Sequence, residues 1–494
     1  MKKGTFLKNA ALVAVGGFLA KGMGGLYRIP LANLVGGYGM GLYQMAYPLF
    51  CVLLTFSSAG IPAALSRIVA REYARGKDRP ETVKTALALF LSLGFVGTLL
   101  MALLAPVMGA VQGEEGLYGC YLALAPSVFL VSAIAVYRGY FQGKNNVVPT
   151  VLSELCEQGV KGAFGLLFCL LFRGNPVRQA QSALFAVTLS ELVSAGYLHL
   201  RYRGEKRGIF LRNRIGVSGG EIAKSALPVM LSAAILPLSQ TADSILLVRL
   251  MASYTPRAVT LYGLYTGGAL SLINLPASVC YGVAVAIVPV LSGASDSARK
   301  ERAVVALLLT LALSLPCAAV LFLFAEKIVA VLYASLPLAD GELLVRLIRA
   351  TAVSAATLSC VQTLSACLTG MGRAKYGALS MAISVALKFA LEWWLVSNSA
   401  HSVLGAAIAT NVCYLVAFFL LLGYTLSAKS LRKEEHDHNR QPWGGKKRLD
   451  GPRKGSGAFG GQSGASDGAY RIRANVDGGE RSLRNAGRGI RKKS

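Results

Sequence analysis

The stretch 137–161, YRGYFQGKNNVVPTVLSELCEQGVK, joins two apolar segments through a short polar elbow. The segment after the elbow is apolar as well, yet it carries Glu154, Glu157 and Lys161. These residues fall at i, i+3 and i+7, which places them on one face of a helix. Charges inside a membrane helix are costly and usually face a cavity or a partner. The stretch therefore predicts two membrane helices, the second with a polar face turned toward the protein interior.

The composition of the whole chain is that of a membrane protein. Of its 494 residues 54% are hydrophobic and 15% are charged, whereas a soluble protein carries roughly 25% charged residues. Apolar runs of the length that crosses a bilayer, about 20 residues, recur along the chain, and the short alternating segments of a β-barrel are missing. We therefore predict an all-α polytopic membrane protein with about twelve transmembrane helices. The runs are 9–33, 42–66, 83–108, 117–141, 150–172, 180–201, 221–250, 259–291, 303–324, 342–369, 376–397 and 402–427.

The loops between these runs alternate in charge. The N-terminus and the loops after runs 2, 4, 6, 8 and 10 are rich in Lys and Arg, whereas the other loops hold few, among them Arg173, Arg178 and Arg257. Positive residues remain on the cytoplasmic side because their translocation is disfavoured. Both termini are therefore expected in the cytoplasm, and the first run is expected to be an uncleaved membrane helix.

The chain repeats itself with a shift of 227 residues. At that shift 141–161 lies on 368–388, so that Lys161 meets Lys388. Two six-helix lobes related by internal duplication are predicted, and because both start on the cytoplasmic side they are parallel repeats. The predicted domains are an N-terminal lobe (1–201), a cytoplasmic linker (202–220), a C-terminal lobe (221–428) and a tail (429–494).

The tail is rich in Gly, Ser, Asn, Arg and Lys and cannot form a core. We expect a disordered cytoplasmic tail attracted to anionic lipids, with RNA binding through its Gly-Arg end as the alternative. The net charge of +27 is otherwise spread over short loops, so no nucleic-acid partner is expected for the membrane part. The nine cysteines and four histidines show no metal-ligand spacing, and no Walker loop or catalytic triad is present. An enzyme is not expected, nor is a cofactor.

Further charges lie within the other apolar runs. Lys21 and Arg28 share a helix face with glycines, Lys388 and Glu392 repeat the spacing of Glu157 and Lys161 in reverse, and Asp243 shares a face with serines. Each charge has a structural alternative: Lys21 as a snorkelling side chain, the others as salt bridges between helices. Together they favour a hydrated central cavity. We predict substrate binding by Lys21, Arg28, Lys161 and Lys388, which suit a phosphate or diphosphate. The predicted ion-coupling or polar cavity residues are Glu154, Glu157, Asp243 and Glu392.

Three stretches resemble the stage V sporulation protein B family: 137–161, 21–50 (KGMGGLYRIPLANLVGGYGMGLYQMAYPLF) and 57–77 (SSAGIPAALSRIVAREYARGK). That family belongs to the multidrug/oligosaccharidyl-lipid/polysaccharide exporter superfamily, together with MurJ-type lipid II flippases and multidrug antiporters. The resemblance implies a two-lobed, MATE-like transporter with alternating access and a central, often cationic cavity. Relatives with fourteen spans carry a lipid-tail groove on the two additional helices, whereas here a basic tail follows the predicted twelfth span.

The resemblance implies flipping of an undecaprenyl-diphosphate-linked sugar, such as a peptidoglycan or polysaccharide precursor, across the bacterial cytoplasmic membrane. Its energy would come from the membrane potential or from a coupling cation, Na⁺ or H⁺. The expected partners are then this anionic lipid-linked substrate and the bilayer lipids. Two alternatives remain open: a cation-coupled multidrug antiporter, and a membrane scaffold without transport in cell-wall or spore-coat assembly.

Overall fold

The computed structural model describes residues 3–427 except 59, 75–79, 206–218, 293–294 and 399–401. The described part is helical, with a π-helical segment at Leu264–Ala269. The middle of the predicted linker and the predicted tail from residue 428 onward lie outside the described residues. The helices are α1 Lys3–Ser58, α2 Ile61–Ala74, α3 Pro80–Gln112, α4 Leu117–Gly143, α5 Val148–Leu171, α6 Pro176–Glu205, α7 Gly219–Ala252, α8 Ala258–Gly263, α9 Leu270–Ser292, α10 Asp296–Leu323, α11 Ala325–Leu332, α12 Leu338–Gly370, α13 Ala374–Val396 and α14 Ser402–Leu426.

Ten helical segments of the described residues are long and apolar enough to cross a membrane. One is the part of α1 from Val15 to Ser58, 44 residues long, which as a straight helix would measure about 66 Å. It is bent at Gly36, whose φ of 67° lies in the left-handed region. The ten segments count this bent helix once and leave out α5, which carries Glu154, Glu157 and Lys161 in 24 residues. The multi-pass membrane character is thus established, and the count of twelve and the sidedness of the termini stay predictions.

Helix packing joins neighbours in the chain and a few distant pairs. In the first half α3 packs on α4, α5 on α6, and α4 on α2 and α6; in the second half α12 packs on α9, α10 and α14, and α13 on α14. α1 contacts α4, α5 and α6 and also α7, α8 and α9, so it lies between the two halves of the chain. Small residues allow close approach: a Cβ on Gly94 of α3 would lie 3.1 Å from the Cα of Phe129 of α4.

The elbow after α4 has a counterpart after α12. Asn145 and Gly372 both have left-handed backbone angles, with φ of 59° and 76°. The amides of Asn145 and Asn146 donate to carbonyls three and five residues earlier, both at 2.9 Å. The amides of Gly372 and Arg373 donate to carbonyls at the same two spacings, at 3.0 and 2.7 Å. This Schellman-type ending is what an internal duplication with a shift of 227 residues would produce.

The glycines just before these elbows also match. A Cβ on Gly143 would lie 2.8 Å from the carbonyl oxygen of Ser66, and one on Gly370 would lie 2.9 Å from the carbonyl oxygen of Val288. Only glycine lets the helices approach that closely, because any side chain would displace the backbone. The first elbow is therefore fixed against α2 and the second against α9. The division into two lobes stays a prediction.

The bend in α1 packs backbone to backbone against α8, from its first turn to its last residue, Gly263. A Cβ on Gly263 would overlap the carbonyl oxygen of Gly37 and lie 2.5 Å from the amide nitrogen of Gly41. A Cβ on Gly41 would overlap the carbonyl oxygen of Val259. This contact and the nearby residues Asn33, Leu332 and Ser335 form what we call the closed end of the bundle.

Two side-chain amides hold the closed end together across the chain. The Nδ2 of Asn33 donates to the carbonyl of Leu332, and the amide of Ser335 donates to the Oδ1 of Asn33 at 3.2 Å. The Nε2 of Gln112 donates to the Oγ of Ser244 at 3.0 Å. Each bond joins a residue of the first half to one of the second, so the halves are tied here by polar contacts as well as by packing.

Candidate functional site

A cavity of about 630 Å³ lies between the two halves of the chain. Its lining comes from α1, α4 and α5 of the first half and from α9 and α12 of the second. Five of the eight predicted site residues line it, and we call it the central cavity. These five are Lys21, Arg28, Glu154, Glu157 and Lys161.

The two carboxylates of the central cavity are held by Arg138 of α4. Its Nη2 lies 3.0 Å from the Oε2 of Glu157, and its Nη1 lies 4.0 Å from the Oε1 of Glu154. Its Nε also donates to the Oγ of Ser153 at 3.0 Å. Arg138 and Glu157 are each 18% exposed, so this pair is largely shielded from solvent. The negative charge of the α5 stripe is therefore compensated from within the site.

Lys21 and Arg28 reach from α1 toward α9 without a carboxylate partner within 4 Å among the described residues. The Nζ of Lys21 lies 3.1 Å from the ring centroid of Tyr281, in a cation–π contact. The Nη1 of Arg28 donates to the Oγ of Ser271 at 3.4 Å. A neutral ring and a hydroxyl do not neutralise these cations at contact distance, although the Glu154 carboxylate acts on Lys21 from farther away.

Lys161 is the least engaged cation of the central cavity. Within the described ranges its ammonium makes no hydrogen bond and has no carboxylate within 4 Å. Space for it exists because α1 has a glycine opposite: a Cβ on Gly24 would lie 2.9 Å from the Oε1 of Gln158 and 4.0 Å from the Nζ of Lys161. Glu191 of α6 is 6% exposed and acts on Lys161 electrostatically, but it does not line the cavity.

Aromatic residues of α1 line the central cavity on either side of the Gly36 bend. Tyr27 precedes the bend, and Tyr43 and Tyr47 follow it. The last two rings stack with centroids 5.7 Å apart. The hydroxyl of Tyr27 lies where a Cβ on Gly165 of α5 would overlap it, so this glycine makes room for the ring. The lining of the cavity thus places aromatic faces beside cations.

The structure corrects the expectation that Lys388 shares this cavity. Lys388 does not line it and instead lies between two carboxylates, donating to Asp243 of α7 and lying 3.1 Å from the Oε1 of Glu392. The three side chains are 11%, 14% and 0% exposed, in that order. The physical reason is tertiary: Asp243 comes from another helix and neutralises the lysine. The predicted residues thus separate into the central cavity and a buried cluster, which we call the Asp243–Lys388–Glu392 cluster.

The sequence-based prediction missed several residues of the central cavity. Arg138 was not among the predicted site residues, although its side chain extends from α4 into the cavity. Tyr281, Ser271 and Gln362 come from the second half and are uncharged, so nothing in the sequence marked them. The sequence did contain a signal for Arg138, since it is a charged residue inside the predicted apolar run 117–141. No group of three His, Cys, Asp or Glu suited to a metal ion occurs in the described part.

Comparison with known proteins gives a family match over more than half of the chain. A family profile described as polysaccharide biosynthesis protein matches residues 6–295. Stage V sporulation protein B of Bacillus subtilis (strain 168) is 30% identical over 363 residues, which cover 68% of each protein. The lipid II flippase MurJ of the same strain is 22% identical over 455 residues, covering 85% of this chain and 82% of that protein.

Solved structures share the fold. An inward-facing multidrug resistance MATE family transporter of the MOP superfamily aligns with a TM-score of 0.68 at 15% identity, covering 85% of this chain and 96% of that one. The lipid II flippase MurJ in an inward closed conformation aligns with a TM-score of 0.66 at 13% identity, covering 85% and 88%. At these identities the likeness concerns the architecture, which is therefore MATE-like.

Proposed function

Because the chain belongs to the family of polysaccharide biosynthesis proteins, we propose that it flips a lipid-linked oligosaccharide or cell-wall precursor across the bacterial cytoplasmic membrane. The substrate class is an undecaprenyl-diphosphate-sugar resembling lipid II, and the mechanism is alternating access. The relatives named above include a lipid II flippase and a sporulation protein. The chain itself is a multi-pass membrane protein, as such a flippase must be.

The observation that carries this proposal is the excess of unpaired cations in the central cavity. Lys21, Arg28 and Lys161 have no carboxylate within 4 Å among the described residues, while Arg138 occupies the carboxylates of α5. A diphosphate that leaves water requires several cationic donors, because charge-assisted hydrogen bonds must replace its hydration. The cavity supplies these donors in a space of about 630 Å³, which suits a headgroup rather than a whole lipid.

The closed end gives the direction in which the substrate enters. Since the distribution of Lys and Arg predicts a cytoplasmic N-terminus, the Gly36 bend and the Asn33 contacts would face the outside. The described state is then inward-facing, and the headgroup enters the central cavity from the cytoplasmic leaflet while its lipid tail remains among the bilayer lipids. Opening of the closed end, with closure at the other end, would release it to the outer leaflet.

Ion coupling has two candidate sets of carboxylates in the described part. Glu154 and Glu157 are engaged by Arg138 in the central cavity. Asp243 and Glu392 share one lysine in a separate, buried place. The second set is better suited to coupling with a cation, Na⁺ or H⁺, since its two carboxylates exceed its one ammonium. The first set is better suited to keeping the empty cavity from accumulating positive charge.

A multidrug antiporter is the alternative that the MATE-like fold raises. A cavity for cationic drugs would be expected to carry excess negative charge, because like charges repel most strongly when shielded from water. The charges that line the central cavity are four cations and two carboxylates, which favours an anionic ligand. A scaffold without transport needs no such set of unpaired charges.

The proposal is tested with a fluorescent undecaprenyl-diphospho-sugar in proteoliposomes, where a membrane-impermeant quencher reports the outer leaflet. Wild-type protein is expected to raise the flipping rate, and Lys161→Ala and Arg28→Ala are expected to lower it about tenfold or more, because each loses a charge-assisted contact of about 1.5–3 kcal/mol. The matched control is Lys327→Ala, an exposed lysine whose ammonium lies over the Phe324 ring.

The outcomes separate the functions. Unchanged flipping in both cavity variants would remove the central cavity as the binding site. Wild-type protein that melts cooperatively, yet flips no substrate and exchanges a fluorescent organic cation, would be an antiporter. A folded protein that moves neither substrate would be a scaffold.

A further inference from the structure

The three residues of the Asp243–Lys388–Glu392 cluster do not line the central cavity, and their side chains are largely shielded from solvent. Lys388 donates to the Oδ2 of Asp243, and its Nζ lies 3.1 Å from the Oε1 of Glu392 without the geometry of a hydrogen bond. Glu392 is completely buried. The cluster joins α7 to α13, so it forms only when these helices are packed together.

Its charges and hydrogen bonds do not balance. One ammonium faces two carboxylates, and three oxygens have no hydrogen-bond partner among the described residues: the Oδ1 of Asp243 and both oxygens of Glu392. An ion pair can compensate for removing one carboxylate from water, but a second carboxylate without a counter-charge is strongly disfavoured. A proton on Glu392 removes that charge and turns one of its orphaned oxygens into a donor for Asp243.

We propose that the Asp243–Lys388–Glu392 cluster is a proton-binding site, in which Glu392 takes up and releases the proton and Lys388 takes the place of a metal cation. The proposal deepens the ion coupling of the proposed function and rests on that function. Na⁺ binds to several oxygen ligands at once, and here an ammonium already occupies the space between the two carboxylates. A proton needs no such space.

The described groups around Glu392 supply no second positive charge that could neutralise its carboxylate in place of a proton. In the described part of the chain, the charged groups that act on it are Lys388 and Asp243. The remaining titratable groups near the cluster are neutral phenols and a thiol, which supply no second positive charge. They are Tyr262, Tyr265, Cys413 and Tyr414.

The π-helical segment Leu264–Ala269 connects the cluster to the central cavity. Tyr265 lies within electrostatic reach of Lys388 and Glu392 and hydrogen-bonds Thr410 at 2.6 Å. The next residue, Thr266, accepts a bond from the Oγ of Ser271 at 3.3 Å. A π-helical turn inside an α-helix is a frequent feature of functional sites, because its register can change by one residue.

The carbonyl of Thr266 ties the π-helical segment to α9 and to α1. The Oγ of Ser271 accepts the hydrogen bond from Arg28 of the central cavity, and the carbonyl of Thr266 also accepts one from the Nε2 of Gln44 at 3.1 Å. A shift of the π-helical segment on loss of the proton would therefore move the partner of Arg28. Protonation of Glu392 favours the described conformation, since the state that binds the proton is stabilised as the pH falls.

Infrared spectroscopy of the purified protein in lipid nanodiscs tests the proposal without any sugar lipid. A protonated carboxyl has its own carbonyl-stretch band. The buried Glu191 of α6 can contribute to this band as well, so the expected result at neutral pH is a loss of band intensity in Glu392→Gln relative to the wild type. Asp243→Asn is the second variant: it leaves Lys388 with Glu392 alone, so Glu392 ionises and the same intensity is lost. Glu326→Gln, in an exposed pair with Arg349, is expected to keep the band.

Sodium binding gives the complementary measurement. Saturable binding of radioactive Na⁺ is not expected in the wild type and is expected to appear in Lys388→Gln, where the space between the carboxylates becomes free. A wild type without the band, a band of unchanged intensity in both Glu392→Gln and Asp243→Asn, or saturable Na⁺ binding to the wild type that Glu392→Gln abolishes would overturn the proposal. If Glu392→Gln does not fold, Asp243→Asn decides. Neither measurement depends on flipping, so a failed flippase assay is distinguishable from a failed proton site.

Discussion

Lys161 and Lys388 lie 227 residues apart, each sixteen residues after the left-handed residue of an elbow, and they have opposite surroundings. Lys161 faces the central cavity with no carboxylate within 4 Å in the described ranges. Lys388 is enclosed by Asp243 and Glu392. The two positions that the predicted 227-residue repeat aligns thus hold one lysine without a close carboxylate and one neutralised lysine.

Substitution of the two lysines is expected to change the stability of the protein to different extents. Lys388→Met leaves the buried carboxylate of Asp243 without its counter-charge and is expected to destabilise the protein by about 3–5 kcal/mol at neutral pH. Lys161→Met breaks no ion pair, so its unfolding free energy is expected to stay within about 0.5 kcal/mol of the wild type. Thermal melting in nanodiscs measures both, and equal losses would show that Lys161 has a structural partner.

Arg138 is expected to act through the carboxylates that it holds. Arg138→Gln leaves Glu154 and Glu157 free to repel an anion, so flipping is expected to fall by more than the loss of one distant charge would cause. Adding Glu157→Gln to that variant is expected to restore part of the rate. A double-mutant cycle on the flipping rate measures the coupling, expected at about 0.5–3 kcal/mol for residues in direct contact. Additive effects would mean that the pair does not matter for the substrate.

Gly263 is expected to control the closed end. In Gly263→Ala the new methyl group meets the backbone of Gly37 and Gly41, and such overpacking costs about 1–3 kcal/mol. Flipping is expected to slow because the closed end must re-form in every cycle. The control is Gly282→Ala in α9, where a Cβ meets nothing within 4 Å. If the control slows flipping equally, the effect comes from helix flexibility and not from the contact.

Asn33 is expected to hold the segment 332–335 in place. Asn33→Ala removes the acceptor of the Ser335 amide and the donor to Leu332, and each lost hydrogen bond costs about 0.5–1.5 kcal/mol. Amide hydrogen exchange of residues 332–336 is expected to accelerate by about tenfold or more. Ser253→Ala, whose hydroxyl bonds only its own helix at Leu250, serves as the comparison. Unchanged exchange in Asn33→Ala would place the control of this segment elsewhere.

Much of the architecture was accessible from the sequence because a membrane restricts the choices. The apolar runs predicted an all-α membrane protein, which the structure and its MATE-like neighbours confirm. The runs 9–33 and 42–66 were predicted as two helices, whereas one helix, α1, bends at Gly36 and continues to Ser58 inside the second run. A left-handed glycine inside a continuous helix gives no periodic signal.

The site was partly predictable, and its limits have a physical cause. Helical spacing placed Glu154, Glu157 and Lys161 on one face, and the structure brings them to one cavity with Lys21 and Arg28. Spacing along one helix says nothing about the neighbouring helix, so the partnership of Lys388 with Asp243 was missed. The same limit hid Tyr281 and Ser271, which contribute neutral groups from α9.

The charges of the central cavity have an electrical consequence. Its lining carries an excess of two positive charges, close to the charge that a diphosphate diester brings with the opposite sign. The loaded carrier would then reorient as a nearly neutral particle, whereas the empty carrier would move positive charge through the field. A membrane potential that is negative inside would thus act mainly on the return of the empty carrier, drawing its positive cavity back to the inward-facing state. The membrane potential would therefore drive the return of the empty carrier and not the movement of the bound substrate.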